Sequence, residues 1–416
     1  MIFALLFMFI NRSPIGIDIS DTSIEISQVR KIGHKYLITS LNRAPLTNGL
    51  VVDGQIQDPA KISEVIKQLM NQSIPHAPRG SSIVMSFPAK KTFIDIFRLL
   101  KTTPDKKIRN HLRLKARKKL PIQIDDYNLA YQSIKQNKKY FWYLAALAPK
   151  KLINQYQEIA RQNNFDLMSI DAEPLCLARA LLTSRIISHQ DIAILDIGAT
   201  STEIHIFDKH GLFWSSSQKI GGNIFDQSIS QKLNTPTYQA TILREQNGFM
   251  ANKKEGQIMN ILQADCQLLI TRIKSTLKYF QKNYQIQIQE IILAGGVSLT
   301  PGLDTYLKDN LNIKINIANP LNKFIFKKWP TKWHPTLFSN SLGLCAWRPQ
   351  LNSKNFNGFN FLKFNPQRFL WRGPIKKILL TLAIITIIVI LGYLLFKTST
   401  SFIINNTSSL WKIWFD

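Results

Sequence analysis

A strand–turn–strand pattern that begins at Ile15 begins again at Asp191. The first copy reads IGIDISDTSIEISQV and continues into KYLITSLNRA; the second reads DIAILDIGATSTEIHIFD and continues into GLFWSSSQKIGG. In both, apolar and polar residues alternate over short runs that end in turn-forming residues, as consecutive strands of one sheet do. A chain that restarts such a unit builds two similar halves, and 416 residues exceed one ordinary domain. In the first half, Asp58-Pro59 opens a helix with Ile62, Val65, Ile66 and Leu69 on one face, followed by the strand SSIVMSFP. In the second, residues 223–285 are mainly helical by pattern, and IQEIILAGGVSLTPGLDTYLKDNL reads as strand, glycine turn and helix. The expected fold class is α/β, with halves over 14–190 and 191–348 and a final helix that returns to the first half.

Residues from about 87 to 165 break the rhythm and read as an inserted subdomain. Thr103-Pro104 is expected as an N-cap followed by a first-turn proline. The helix to Leu120 puts Ile108, Leu112, Ala116 and Leu120 on one stripe; Lys106, Lys107, Arg109, Arg113, Lys115, Arg117, Lys118 and Lys119 occupy its other faces. Such a surface suits water or anionic lipid. Nucleic acid is not expected, because no zinc finger, aromatic RNP motif or helix-turn-helix accompanies it. The excess of 53 Lys plus Arg over 26 Asp plus Glu attracts either kind of phosphate and does not choose between them. Cys176, Cys266 and Cys345 are far apart and lack metal-ligand spacing, which indicates a reducing compartment and no metal framework.

Three segments carry the chemistry: Gly16-Ile17-Asp18-Ile19-Ser20, Leu195-Asp196-Ile197-Gly198-Ala199-Thr200 and Leu293-Ala294-Gly295-Gly296-Val297. Each puts small residues on a turn leaving a buried strand, where backbone N–H groups can approach a phosphate or a purine. Asp18 and Asp196 sit where carboxylates could hold a hydrated Mg²⁺ between phosphates. One such turn is common in any chain; three in this order are specific. Two repeated halves carrying them are the signature of the actin-like architecture, in which a nucleotide lies in the cleft between paired domains.

Residues 15–348 resemble the PilM family, actin-like platform proteins of type IV pilus machines and relatives of the division protein FtsA. The resemblance rests on GIDIS, LKARKKLPIQIDDYNLAYQSI in the insertion, IDAEPLCLARAL, LDIGATSTEIHIF, IGGNIFDQSI, ILAGGVSLTPGLDTYL, IANP and SLGLCAWRP. It implies ATP and Mg²⁺ as cofactors. The turn after Asp18, with Ser20 and Thr22, becomes the first phosphate loop, and Asp196 to Thr200, with Gly198 and Ala199, the second. Gly221 and Gly222 join the nucleotide-binding set, Ala294, Gly295 and Gly296 flank adenosine, and Asp18 and Asp196 reach Mg²⁺ through water. Glu173, before Pro174, corresponds to the acidic position near the attacking water. The first loop departs from the family, which usually has glycine, serine and a lysine where this chain has Ser20, Asp21 and Glu25; an extra carboxylate beside a triphosphate is repulsive. Thr241 and Arg244 replace the usual acidic and basic pair near ribose and base.

The function so implied is a nucleotide-binding scaffold of a pilus inner-membrane platform, at most a slow ATPase. PilN-like and PilO-like proteins, pilus motor ATPases and further copies of the chain are its implied partners. A working ATPase, a type II secretion subunit and an FtsA-like division protein are the rival readings.

Beyond Pro349 the chain turns to QLNSKNFNGFNFLKFNPQRF, a linker over 349–377. Within it Phe359 to Phe364, with Asn360, Phe361 and Leu362, resembles the start of PilN, whose short asparagine-leucine-leucine segment docks on PilM; Lys363 stands where that motif usually has proline. The resemblance implies an extended peptide in an apolar groove near the insertion, on the same molecule or on a neighbour. Ile378 to Phe396 follows without a charge and makes a helix of about 28 Å, enough for a bilayer core. Lys363, Arg368, Arg372, Lys376 and Lys377 precede it, against Lys397 and Lys412 after it, so the bulk of the chain is expected on the cytoplasmic side of a bacterial inner membrane with 397–416 outside. The opening MIFALLFMFI, within residues 1–13, is too short to span; it reads as an interfacial segment, a strand extension, or sequence ahead of a true start at Met8.

Overall fold

The first half is built on a strand that is apolar because both its faces are covered. In the computed structural model, which describes residues 13–120, 123–253, 256–347, 358–362, 381, 384–391 and 393, strand β1 (Ile15–Ile19) is buried at every position. It pairs antiparallel with β2 (Ser23–Ile32), which pairs antiparallel with β3 (Lys35–Pro45). A small hairpin of β4 (Val51–Val52) and β5 (Gln55–Ile56) leads into α1 (Pro59–Asn71), capped by the Asp58 side chain on the Ala60 and Lys61 N–H groups. After β6 (Ile74–Pro75), β7 (Ser82–Phe87) returns parallel to β1.

The insertion holds β8 (Phe93–Leu100), α2 (Asp105–Lys119), β9 (Tyr127–Gln136) and β10 (Tyr140–Pro149). Its strands form a separate sheet in the order β8-β10-β9, with Ile108, Leu112 and Ala116 of α2 in that subdomain's own core. Two details of the sequence reading change here. Pro104 itself takes the cap position, and no side chain, Thr103 included, caps the helix. Three of the basic residues are spent internally: Arg109 donates to Leu129 O, Arg113 to Ile124 O and Asp125, and Lys119 to Asp95. Lys106, Lys107, Lys115, Arg117 and Lys118 stay exposed.

Helix α3 (Lys150–Gln162) then brings β11 (Asp166–Ala172) in parallel beside β7, followed by α4 (Glu173–Leu181) and α5 (Ser184–His189). The second half repeats the plan. β12 (Asp191–Ile197), β13 (Thr202–Asp208) and β14 (Gly211–Gln218) are antiparallel neighbours; α6 (Gly222–Leu233), α7 (Thr237–Asn247) and α8 (Gln257–Tyr284) cross over to β15 (Ile288–Ala294), parallel to β12. Helix α9 (Leu303–Leu311) leads to β16 (Lys314–Ile317), parallel to β15. The sheet orders β3-β2-β1-β7-β11 and β14-β13-β12-β15-β16 are the same topology twice. β17 (Phe324–Ile325) adds to the free edge of β3.

The last helix of this body, α10 (Ser339–Cys345), wedges between β1 and α4. Two glycines make the room: a Cβ on Gly16 would lie 2.1 Å from Ser341 O, and one on Gly343 2.0 Å from Cys176 O. One unit spans Asn11–Leu362; Met1–Ile10 and Lys363–Asp416 form another. Of the expected span Ile378–Phe396, residues 381, 384–391 and 393 are among those described, and all are helical. Among the described residues no helix is long and apolar enough to cross a membrane. The opening residues 1–12 are not among them either.

Candidate functional site

The carboxyl ends of the parallel strands in both halves open on one cavity of about 800 Å³. This is where an α/β sheet places a ligand, since connections diverge there. Asp18 to Ser23 arrive from the end of β1, Pro88 and Lys90 from β7, Glu173 from β11, Asp196 to Ser201 from β12, and Gly295 to Val297 from β15. Asp226, Thr241 and Arg244 line the far side, with Lys332 and His334 on the segment that leads into α10 and Asn340 in its first turn.

The floor is symmetric. Asp18 pairs with Glu25 in the β1–β2 register, and Asp196 with Glu203 in β12–β13. Ser23 Oγ donates to Glu25 Oε1 at 2.7 Å, and Ser201 Oγ donates to Glu203 Oε1 at 2.7 Å. The neighbouring strand breaks the symmetry: Arg43 Nε donates to Glu25 at 2.7 Å, whereas Ser217 Oγ donates to Glu203 at 3.0 Å. Burial dominates all four acids. It lifts the Glu25 carboxyl to about 7 despite Arg43, and Asp196 to about 8 with help from Glu203, Asp18 and Glu25. Asp18 and Glu203 are raised for the same reason, and Glu173 is raised well above its usual range by burial and then by Asp18 and Glu203. Such a floor gains from a cation or from protons.

The candidate residues divide into those on the wall and those behind it. Asp18 accepts a hydrogen bond from Ser86 Oγ, and Glu173 Oε2 accepts Ala89 N–H at 2.7 Å. Ser20 turns its hydroxyl back to accept Ser23 N–H at 3.0 Å, so it shapes the first turn. Thr22, Gly198, Ala199, Thr200, Gly295 and Gly296 face the cavity. Gly221 and Gly222 are buried behind the second turn, where Gly222 N–H donates to Gly198 O at 3.0 Å and a Cβ on Gly221 would meet Gly198 O at 2.7 Å. Ala294 is also buried, paired with Asp196 in the sheet. Gly295 has φ +80°, and a Cβ there would strike Asp196 Oδ1 at 2.4 Å; only glycine brings the third turn this close to the carboxylate. Arg244 is not free for a ligand: its Nε donates to Asp226 Oδ1 at 2.6 Å and its Nη1 to Thr300 Oγ1 at 3.0 Å, while Thr241 Oγ1 donates to Asp226 Oδ2 at 2.8 Å.

Sequence reasoning missed Lys90, which reaches from the β7–β8 connection to Asp21 Oδ2 at 2.5 Å and to Thr200 Oγ1 at 3.0 Å. It also missed Asp226 as the partner of Arg244.

The family model for the type IV pilus assembly protein PilM matches residues 16–334. The chain belongs to the PilM family. Among solved structures, a PilM–PilN type IV pilus biogenesis complex superposes with a TM-score of 0.69 at 19% identity, covering 80% of this chain and 98% of that one. The ethanolamine utilization protein EutJ from Carboxydothermus hydrogenoformans follows with 0.50 at 12% identity, covering 80% and 88%. Family and fold together make this an actin-like scaffold protein of type IV pilus assembly.

The PilM body holds a second feature away from the cleft. Residues 358–362 lie along the open edge of β11, on their own chain. Phe361 N–H donates to Ile170 O at 3.0 Å, Phe359 N–H to Asp171 Oδ1 at 2.6 Å, and Asn128 Nδ2 of the insertion to Phe361 O at 2.9 Å. Phe359 and Phe361 are fully buried, the latter 5.4 Å from the Phe87 ring, and Leu362 is half-buried on the same core. Asn360 Nδ2 donates to Met168 O at 3.2 Å. Asp171 is itself held by Arg179 at 2.5 Å, so the charge that receives the peptide is compensated.

Proposed function

We propose that this PilM-family scaffold binds ATP with Mg²⁺ between its halves as a regulatory ligand. The observation that carries the reading is the convergence of three small-residue turns and two register-matched acid pairs on one cavity. The turns at Ser20–Thr22 and Gly198–Thr200 would face phosphates, and Gly295 and Gly296 the nucleoside. Among the described residues no three acid, histidine or cysteine side chains converge tightly enough to hold a metal by themselves. The half-buried Asp196 and buried Asp18 fit a cation held through water and phosphate oxygens. Bound there, Mg²⁺ would offset the charge of both the phosphates and the floor. Glu173, engaged with Ala89 N–H, would hold water near the last phosphate, which suits slow turnover at most. Unfolding of the full-length chain with and without millimolar Mg²⁺ and ATP tests this: a rise of a few degrees that Asp196→Asn removes is expected. An unmoved wild-type transition refutes it.

The edge peptide supports a second part of the reading. Residues 358–362 act as a built-in PilN-like segment, filling the groove that a PilN-type partner would otherwise occupy, ahead of a span at 378–396 that would tether the scaffold to an inner membrane. PilO-like proteins, motor ATPases and anionic lipid beneath the exposed lysines of α2 complete the proposed surroundings. A synthetic peptide of residues 357–366 should bind a Phe361→Ala chain and fail to bind the wild type, whose groove is filled.

A further inference from the structure

The two phosphate-facing turns differ at one position that carries charge. Aligned on their register partners, DISDTSIE of the first half matches DIGATSTE of the second, and Asp21 stands where the second has Ala199. The Asp21 carboxylate is held on all sides. Its Oδ1 accepts Gly54 N–H at 2.7 Å, and its Oδ2 accepts Thr200 Oγ1 at 2.7 Å and Lys90 Nζ at 2.5 Å. Lys90 Nζ also donates to Thr200 Oγ1 at 3.0 Å. Lys90 and Asp21 side chains are only 13% and 8% exposed. Since Thr200 belongs to the second turn, this cluster ties the two turns together across the cleft. Of the other cations on the wall, Arg43 is committed to Glu25 and Arg244 to Asp226, while Lys332 lies over the Trp333 ring.

We infer that Asp21 is an internal stand-in for a nucleotide phosphate, holding Lys90 and Thr200 until a phosphate displaces it. The inference rests on the nucleotide reading above and adds what sets the strength of binding. An ammonium, a hydroxyl and a backbone N–H are the donors a phosphate oxygen takes, and here a carboxylate takes all three. A phosphate entering the cleft has to break that cluster and then sit beside the displaced carboxylate, a like charge in a poorly solvated place. Asp21 therefore weakens nucleotide binding, while Lys90 is the cation that nucleotide gains once Asp21 moves aside. The same cluster keeps the turns together when no nucleotide is bound.

Calorimetric titration of the full-length chain with MgADP and MgATP separates the outcomes. Asp21→Ala, which copies the residue at 199, and Asp21→Asn should each bind at least about tenfold more tightly than wild type. Lys90→Gln should weaken binding in the wild-type and in the Asp21→Ala backgrounds alike. Affinity unchanged in both Asp21 variants, with wild-type binding measurable, overturns the stand-in and leaves the nucleotide reading intact. No binding of either nucleotide by wild type and by both Asp21 variants overturns the two together. Two substitutions at 21, each checked for a cooperative unfolding transition, keep a folding defect from imitating either result.

Discussion

Asp196 and Glu203 face each other across the β12–β13 ladder and share the floor of the cleft. Burial raises both carboxyls, Asp196 to about 8, so the folded chain holds protons there that the unfolded chain releases near its usual range. A raised folded pKa contributes stability that is complete below the unfolded value and is lost as pH climbs through the folded one. Without ligand, the protein should therefore be less stable at pH 8 than at pH 6. Asp196→Asn should flatten that fall and raise the melting temperature at pH 8 by several degrees. Parallel pH profiles of variant and wild type would show that Asp196 is charged throughout.

The third turn can be tested through its neighbouring glycines. Gly295 has φ +80° and no room for a Cβ beside Asp196, whereas a Cβ on Gly296 would meet only Leu337 Cδ2 at 3.7 Å. Gly295→Ala should cost about 2 kcal/mol in denaturant unfolding and Gly296→Ala less than about 0.5 kcal/mol. Equal costs would mean that the approach to Asp196 does not depend on glycine.

Arg244 and Asp226 are both nearly buried and bond at 2.6 Å. Removing one leaves the other unpaired, so Arg244→Met should destabilise by about 3 kcal/mol. Asp226→Leu combined with Arg244→Met should recover most of it, because two apolar groups replace two charges. A double variant no more stable than the single one would contradict this.

For the edge peptide, Phe361→Ala removes a fully buried ring packed on Phe87. The local cost of about 3 kcal/mol should release residues 358–362 without unfolding the body. Hydrogen exchange at the residue-361 amide, bonded to Ile170 O, reads this directly. It should speed up by about a hundredfold at that cost while the β1 amides keep their protection.

The repeated plan was legible in the chain because strand alternation and turn residues are local. DISDTSIE and DIGATSTE carry the same acid, serine and acid spacing, and the three turns at Ser20, Gly198 and Gly295 follow from small residues after apolar runs. The edge segment was legible by resemblance alone; that it settles on its own molecule was not, since Phe359 meets Asp171 across a separation of 188 residues.

What remained hidden depends on distance along the chain and on burial. Lys90 lies 69 residues from Asp21 and 110 from Thr200, and no pattern around Pro88-Ala89-Lys90 marks it out among the many lysines. Arg244 stands where the family's pair near ribose and base is replaced, and nothing in the order of residues marks Asp226, 18 residues away, as its partner. The amino-acid order determined which residues form strands and turns, because those preferences act over a few neighbours. Only the tertiary structure decided which charges meet and which carboxyls keep their protons, because Coulomb attraction and desolvation depend on position in space.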